Sequence, residues 1–335
     1  MKREELNYIY PESLIAIEPS RPTRVMLAEE GKQTKEITLA ELVKLIPPND
    51  IFVVNNTKVL KRRVFAGDLE ILFLDQLAES LNFNEWSVLF PSKKSKLGDH
   101  IQLPAGFSME LIEKGRPQKV RITPKITETD FERIAELPLP PYIQKARNDR
   151  HNLIHDDQWY QTAWAQNPGS FAAPTASLHF SADDITSLKN KGVEVLELTL
   201  HVGLGTFLPV LTEDLNEHKM HSEIYQITES NWQKIKLAKM NNKGIWSLGT
   251  TTTRVLESVA RTEKLSGSTD ILLQVGSEFK IVNRLLTNFH QPESTLLALV
   301  AGFFGLQAVK HNYSWAIENK FKLFSYGDLS VWIKK

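Results

Sequence analysis

VEVLELTLHVGLGTF, residues 193–207, carries the reading on which the fold turns. Its first part alternates apolar and polar residues with a period of two, as a half-buried strand does. The strand runs out at His201 and passes into Gly203 and Gly205, which bracket a leucine, with Thr206 next. Upstream, Ser181 can cap a helix through ADDITSLKNK, and Gly192 stands just beyond its end. Helix, strand and a glycine-bent loop bearing a histidine form the unit from which an open α/β sheet is built. In such sheets ligands gather beyond the carboxyl ends of the strands. The plainer alternative is a bent loop whose histidine is buried and satisfied by a backbone carbonyl. GLG is too short for a dinucleotide fingerprint, and no helix starts on it.

The same rhythm continues on both sides. EIYQIT reads as a strand, SNWQKIKLAKMNN as a helix, and GIWSLGT as a buried strand feeding the helix TTRVLESVART. RLLTNF is a strand before a helix expected to start near Pro292, and IFVVNN near the start is a further strand. The pattern predicts an α/β domain with a partly parallel sheet. Residues 63–126 have a different texture. RVFAGDLEILFL, EWSVLF, HIQL, SMELIEKG and KVRIT are short alternating segments separated by turn signals, with no convincing helix between them, which suggests a small barrel or sandwich. The prolines of LPLPPYIQKARNDR favour extended geometry and mark a boundary. The expected division is an α/β domain of residues 1–62 and 146–335, with a β-barrel domain, residues 63–145, inserted into it.

Composition excludes several function classes. The chain has 335 residues, with 40 Lys and Arg against 40 Asp and Glu, so no global field favours nucleic acid, although a local basic face remains open. There is no cysteine, which excludes disulfides, thiolate metal sites and cysteine nucleophiles. MKREELNYIY lacks the apolar run of a signal peptide, and the longest apolar run, residues 296–306, is far short of the roughly 20 residues of a spanning helix. A cytoplasmic protein without a membrane segment is the expectation.

Several loops repeat the placement of a histidine beside polar groups. LTNFHQPEST sets His290 after a strand, with Asn288 before it and Glu293, Ser294 and Thr295 at a helix start. AAPTASLHFS sets His179 just ahead of the Ser181 cap. LGTTTTR places Gly249, Thr250 and Thr251 between strand and helix, where backbone N–H groups face a polar ligand; Arg254 and Glu257 follow one turn apart. Each histidine alone is more often structural; several at comparable positions point to one pocket. HKMHSE offers His218, His221 and Glu223 as metal ligands, but the spacing is not that of HExxH, and a loop binding polar substrate groups is the better reading. NNTKVLKRRV and PSKKSK together hold seven basic residues, including Lys58, Arg62, Arg63, Lys93, Lys94 and Lys96. On one side of the fold they would position phosphates; otherwise they only solvate a face.

These segments, in this order, resemble the S-adenosylmethionine:tRNA ribosyltransferase-isomerase family of queuosine biosynthesis (QueA). The likeness rests on EPSRPTR, VVNNTKV, GDLEILFL, LPLPPYI, YQTAWA, AAPTASLHF, TLHVGLGTF, HKMHSE, LGTTTTRVLE, LLTNFHQPESTLLALV and FSYGD, and spans nearly the whole chain. It implies an α/β domain with an inserted β-barrel. It also implies an activity: the ribosyl part of S-adenosylmethionine moves onto 7-aminomethyl-7-deazaguanine at the tRNA wobble position. Adenine and methionine leave, and the ring becomes the epoxycyclopentane of epoxyqueuosine. S-adenosylmethionine is then a co-substrate, no metal is used, tRNA is the partner, and a monomer is expected.

That reaction needs a proton removed beside the sulfonium, at C5′, and help for departing adenine. Imidazoles near neutral pH suit both tasks. His201 and His290 lead as acid/base candidates, with His179 and Glu223 next. Gly203, Gly205, Thr206, Gly249, Thr250, Thr251, Asn288 and His221 would shape the S-adenosylmethionine pocket. Asn55, Lys58, Arg62, Arg63, Lys93, Lys94, Lys96 and Arg254 would meet the tRNA. The chain departs from the family's usual aspartate at Asn56, arginine at Lys58, glycine at Ser177 and arginine at Leu208, and QVGSEF lacks the usual proline before its glycine. A relative that binds tRNA without catalysis is therefore the second reading, and a metal-dependent hydrolase built on HKMHSE the third.

Overall fold

The segment IFVVN lies at the centre of a nine-stranded mixed sheet, and every one of its residues is buried. In a computed structural model that describes residues 1–203, 205 and 210–334, the strand order is Ser266–Thr269, Glu223–Gln226, Glu194–Leu200, Ile51–Asn55, Ile245–Leu248, Arg284–Asn288, Leu329–Ile333, Arg24–Glu29 and Lys35–Thr38. Four neighbours, Glu194–Leu200, Ile51–Asn55, Ile245–Leu248 and Arg284–Asn288, run parallel. Their carboxyl ends therefore share one rim. Leu329–Ile333 runs against Arg284–Asn288, pairing Asn288 with Leu329, so the residues just before Leu329 reach the same rim.

Burial on both faces explains the continuous apolar run of IFVVN. Ile51 and Val53 join one core with Val255, Leu256 and Val259 of helix Thr250–Thr262 and with Leu297 and Val300 of helix Thr295–Phe304. Phe52 and Val54 join the other, with Leu42, Leu188 and Phe180. Each such fully buried side chain contributes roughly 1.5–3 kcal/mol. Helix Ala182–Asn190 starts as its sequence predicts: Ser181 Oγ accepts from the Asp184 N–H at 3.2 Å, and the Asp184 carboxylate accepts from the Ser181 N–H at 2.8 Å.

Two local expectations need correction. The helix expected near Pro292 is Thr295–Phe304, capped by Ser294, because Glu293 adopts φ 57° and no helix runs through that conformation. The stretch expected to stay extended contains helix Pro141–Arg147, with proline in the first turn and Asn148 closing it in the left-handed region at φ 51°.

The chain divides into two compact units. One comprises Met1–Val59, Pro140–Asp149 and Asp157–Lys335, and the other Leu60–Leu139 and Arg150–Asp156. The boundary drawn at 145/146 thus falls inside helix Pro141–Arg147, which belongs to the first unit. The second unit is an antiparallel, barrel-like sheet of six strands, in the order Arg63–Ala66, Leu69–Glu79, Asn84–Leu89, Gln118–Thr123, Ser108–Glu113 and His100–Gln102. Its core includes Val64, Phe73, Trp86, Leu111, Val120 and Phe131.

Candidate active site

At the carboxyl rim of the parallel strands the first unit holds a cleft of about 650 Å³. Gly249, Thr250, Thr251, Asn288 and His290 line it, as do Val202 and Gly205 from the loop after Glu194–Leu200. Tyr142, Lys145, Ala172–Thr175 and Phe324–Ser325 complete the wall, together with His218, His221, Glu223, Arg254 and Arg3.

His290 is held from three sides. Its carbonyl accepts from the Tyr8 hydroxyl at 2.5 Å, its N–H donates to the Tyr313 hydroxyl at 3.0 Å, and its Nε2 pairs with Thr287 Oγ1 at 2.8 Å. Burial lowers its pKa to about 3, so the ring is neutral at physiological pH. Asn288 is fixed beside it. Its Nδ2 donates to Phe324 O and to His179 Nε2, each at 3.0 Å, and its Oδ1 accepts from Thr175 Oγ1 at 2.9 Å. His179 is not among the cleft-lining residues. It lies behind Asn288, and burial, then the nearby Arg21 charge, bring its pKa down to about 3. An uncharged His179 accepting a hydrogen bond from Asn288 orients that amide; it does not reach into the cleft.

Glu223 and Arg254 form an ion pair, with side chains 4% and 6% exposed. The other Glu223 oxygen accepts from the Gly203 N–H at 2.9 Å. Arg254 is thereby committed, with the Ile271 carbonyl at 3.3 Å as a further acceptor, and it pairs with Glu223 and not with Glu257. Glu257 instead takes the N–H groups of Lys280, Ile281 and Val282 and the side chain of Arg261. The arrangement disfavours the metal reading, because the carboxylate proposed beside His218 and His221 already neutralises an arginine. Burial, then neighbouring His221, lowers the His218 pKa.

The glycines serve a different purpose from the one expected. A Cβ on Gly205 would overlap the His221 ring, so its bareness admits a side chain of the protein itself. Gly203 does not line the cleft. His201 also stands apart: its Nδ1 pairs with Thr57 Oγ1 at 2.9 Å, and its ring lies where a Cβ on Gly169, φ 153°, would be only 2.7 Å away. Burial lowers its pKa. Thr206 and Leu208 lie outside the described residues.

Of the residues expected to meet tRNA, Asn55 is 0% exposed; its amide donates to and accepts from the backbone of Leu200 at 3.0 Å each, tying two strand ends together. Arg62 and Arg63 are buried in the second unit. Arg62 pairs with Glu128 at 2.6 Å and stacks over Phe131, and Arg63 pairs with Glu136 at 2.9 Å. These three are structural, because a buried, paired group has no face to offer a phosphate. Lys58, Lys93, Lys94 and Lys96 are exposed. The unusual Asn56 donates to Glu197 at 3.0 Å, where an aspartate would set two carboxylates together. Ser177 is fully buried and its hydroxyl has no partner.

The sequence reading missed Tyr142, Lys145, Ala172, Ala173, Thr175, Phe324 and Ser325 as cleft residues. LPLPPYI, AAPTASLHF and FSYGD were among the segments carrying the resemblance, so the signal was present without a geometry to interpret it.

A partly parallel α/β sheet with a histidine-bearing cleft at its carboxyl rim, carrying a six-stranded barrel-like unit between its segments, defines an α/β enzyme with an inserted second unit. Residues 3–332 match the family described as queuosine biosynthesis protein, and the chain belongs to that family. It is 39% identical to the S-adenosylmethionine:tRNA ribosyltransferase-isomerase of Carboxydothermus hydrogenoformans over 98% of both chains. It is 38% identical to the protein of that name from Natranaerobius thermophilus, again over 98% of each. The crystal structure of S-adenosylmethionine tRNA ribosyltransferase from Thermotoga maritima matches 98% of this chain and 100% of its own, at 28% identity and a TM-score of 0.56.

Proposed function

We propose that this enzyme transfers and isomerises the ribosyl moiety of S-adenosylmethionine onto 7-aminomethyl-7-deazaguanine at the tRNA wobble position, giving epoxyqueuosine and releasing adenine and methionine. The observation that carries the reading is that the segments LGTTTT, LLTNFHQPE and AAPT, among those on which the resemblance to the family rests, converge on one cleft of about 650 Å³ in a chain that matches its relatives over 98% of their length. That volume suits a nucleoside-sized ligand.

In this reading His290 is the acid/base group nearest the reacting atoms. Its neutral ring can take up a proton such as the one leaving C5′, and desolvation keeps it uncharged until then. Asn288, oriented by His179 and Thr175, presents its carbonyl oxygen as an acceptor for a substrate hydroxyl or amine. Glu223 acts as counter-ion to Arg254 and sets the Gly203 loop. Lys58 and the exposed lysines Lys93, Lys94 and Lys96 are the residues offered to tRNA phosphates. The protein works without a metal, as a cytoplasmic monomer.

The test incubates the protein with S-adenosylmethionine and tRNA bearing the deazaguanine precursor. Adenine and methionine should appear in equal amounts with the new nucleoside. Binding of that tRNA without adenine release would establish the non-catalytic reading instead.

A further inference from the structure

We infer that helix Pro141–Arg147 holds the wobble nucleotide of the tRNA in the cleft, the Tyr142 ring stacking on its base and Lys145 meeting its phosphate. The inference rests on the reading of tRNA as substrate and adds where the modified nucleotide sits. Of the four Phe and Tyr side chains that line the cleft among the described residues, Phe289 and Tyr160 are 0% exposed and Phe324 is 3% exposed. Tyr142 packs at the margin of the core and keeps surface at the cleft wall. Its hydroxyl is already engaged: it donates to Ser325 Oγ and accepts from the Ser325 N–H at 2.9 Å. Burial pushes its pKa up to about 12, so it takes no part in proton transfer near neutrality. What Tyr142 offers a ligand is therefore its ring, whose tilt is set by an edge contact with Phe324 at 5.3 Å between centroids. A ring fastened at its hydroxyl end is a platform for a flat base.

The charge on the same helix is the second observation. Lys145 is exposed and lines the cleft. The two arginines of the wall are matched, Arg3 by Glu293 at 3.2 Å and Arg254 by Glu223, whereas no carboxylate among the described residues pairs with Lys145. Tyr142 and Lys145 are three residues apart, which makes them neighbours on the helix surface. A ring and a cation within one turn fit a nucleotide, whose base and phosphate are joined through one ribose. They do not fit S-adenosylmethionine, whose adenine and carboxylate lie at opposite ends and whose sulfonium Lys145 would repel. Proteins that hold unpaired nucleotides combine the same two elements, a stacking ring and a cation for the backbone.

The experiment measures three quantities for the wild type and each variant: the affinity of precursor tRNA across a range of salt, the affinity of S-adenosylhomocysteine with that tRNA saturating, and turnover. Tyr142→Leu should weaken tRNA binding by about 5–150-fold, the scale of one base–aromatic stack, and Tyr142→Phe, which keeps the ring, should retain most of the affinity. Lys145→Ala should weaken tRNA binding and reduce its salt slope by about one phosphate contact, and Lys145→Arg should restore both. S-adenosylhomocysteine affinity should stay at the wild-type value throughout. Fluorescence of 2-aminopurine placed at the wobble position of an anticodon stem–loop should be quenched by the wild type and by Tyr142→Phe, and not by Tyr142→Leu. Lys145 is exposed, so its variants carry the test even where Tyr142→Leu fails to fold. A Tyr142→Leu protein that loses S-adenosylhomocysteine affinity and keeps that for tRNA would give the ring to adenine and overturn the inference. Unaltered tRNA affinity and salt slope in Lys145→Ala, in an enzyme that turns over, would overturn it and leave the activity standing. A wild-type protein that neither binds precursor tRNA nor releases adenine would remove the proposed function together with this site.

Discussion

Glu223→Gln separates a structural carboxylate from a reacting one. The substitution keeps the shape and an oxygen for the Gly203 N–H, now 2.9 Å away, but removes the charge that Arg254 faces. Arg254 would be left buried, with the carbonyls of Ile271 at 3.3 Å and Thr269 at 3.4 Å. Breaking a buried pair from one side costs about 3–5 kcal/mol, because the remaining charge stays desolvated. Melting of the first unit should therefore fall by ~6–20 °C, taking roughly 2–4 °C per kcal/mol for a unit of this size. Replacing both members, as Glu223→Gln with Arg254→Met, should cost less than the two single changes added together, the mark of a coupled pair. Turnover measured well below the melting temperature should stay within about tenfold of wild type, short of the 10²–10⁴-fold scale of general acid–base catalysis. A Glu223→Gln protein that melts normally yet loses at least ~10²-fold in turnover would refute this and make Glu223 a reacting group.

Acid should destabilise the fold through His179 and His290. Each has a pKa lowered to about 3 in the native state, so between the unfolded value near 6.5 and about 3 the unfolded chain binds more protons. Stability is fully present above that window and falls as pH drops through it, by up to about 1.4 kcal/mol per pH unit for each histidine. Denaturation at pH 6 and pH 5 should show that slope, and a His179→Gln, His290→Gln variant should lose most of it. His290→Ala should lower turnover by about 10²–10⁴-fold and His201→Ala by far less, since His290 lines the cleft and His201 does not; the reverse order in a single-turnover assay would move the acid/base role to the Thr57 side. Alanine at Lys93, Lys94 and Lys96 should weaken tRNA binding and flatten its salt dependence; an unchanged salt slope would show that those lysines face only solvent.

The strand ends at His201, Gly249 and Asn288 were legible because period-two strands, glycines and the parallel α/β rhythm are local signals. Which way a side chain turns at a strand end is not local. His201 and His290 both follow strands, yet one packs on Gly169 beside Thr57 and the other faces the cleft. Charge runs mislead for the same reason: Arg62 and Arg63 read as an exposed basic patch until Glu128 and Glu136, more than sixty residues on in the chain, fold against them. The cleft wall from Phe324 and Ser325 was hidden because it depends on Leu329–Ile333 running antiparallel to its neighbour, a topological fact with no signature in FSYGD.

The electrostatics of the cleft fit a reaction that uses up positive charge. S-adenosylmethionine brings a sulfonium, and methionine leaves as a neutral thioether. A pocket lined with bare carboxylates would hold the sulfonium most tightly before the reaction and release that stabilisation as the charge disappears, which lowers KM and slows the chemistry together. Here Glu223 is matched by Arg254 and Glu293 by Arg3, while His290 stays neutral through burial. Lys145 adds one full positive charge to the cleft wall, and the amide of Asn288, fixed by Thr175 and His179, adds a polar group. On the proposed assignment of His290 as the acid/base group, the cleft offers the sulfonium no unpaired carboxylate and offers the leaving proton a neutral ring.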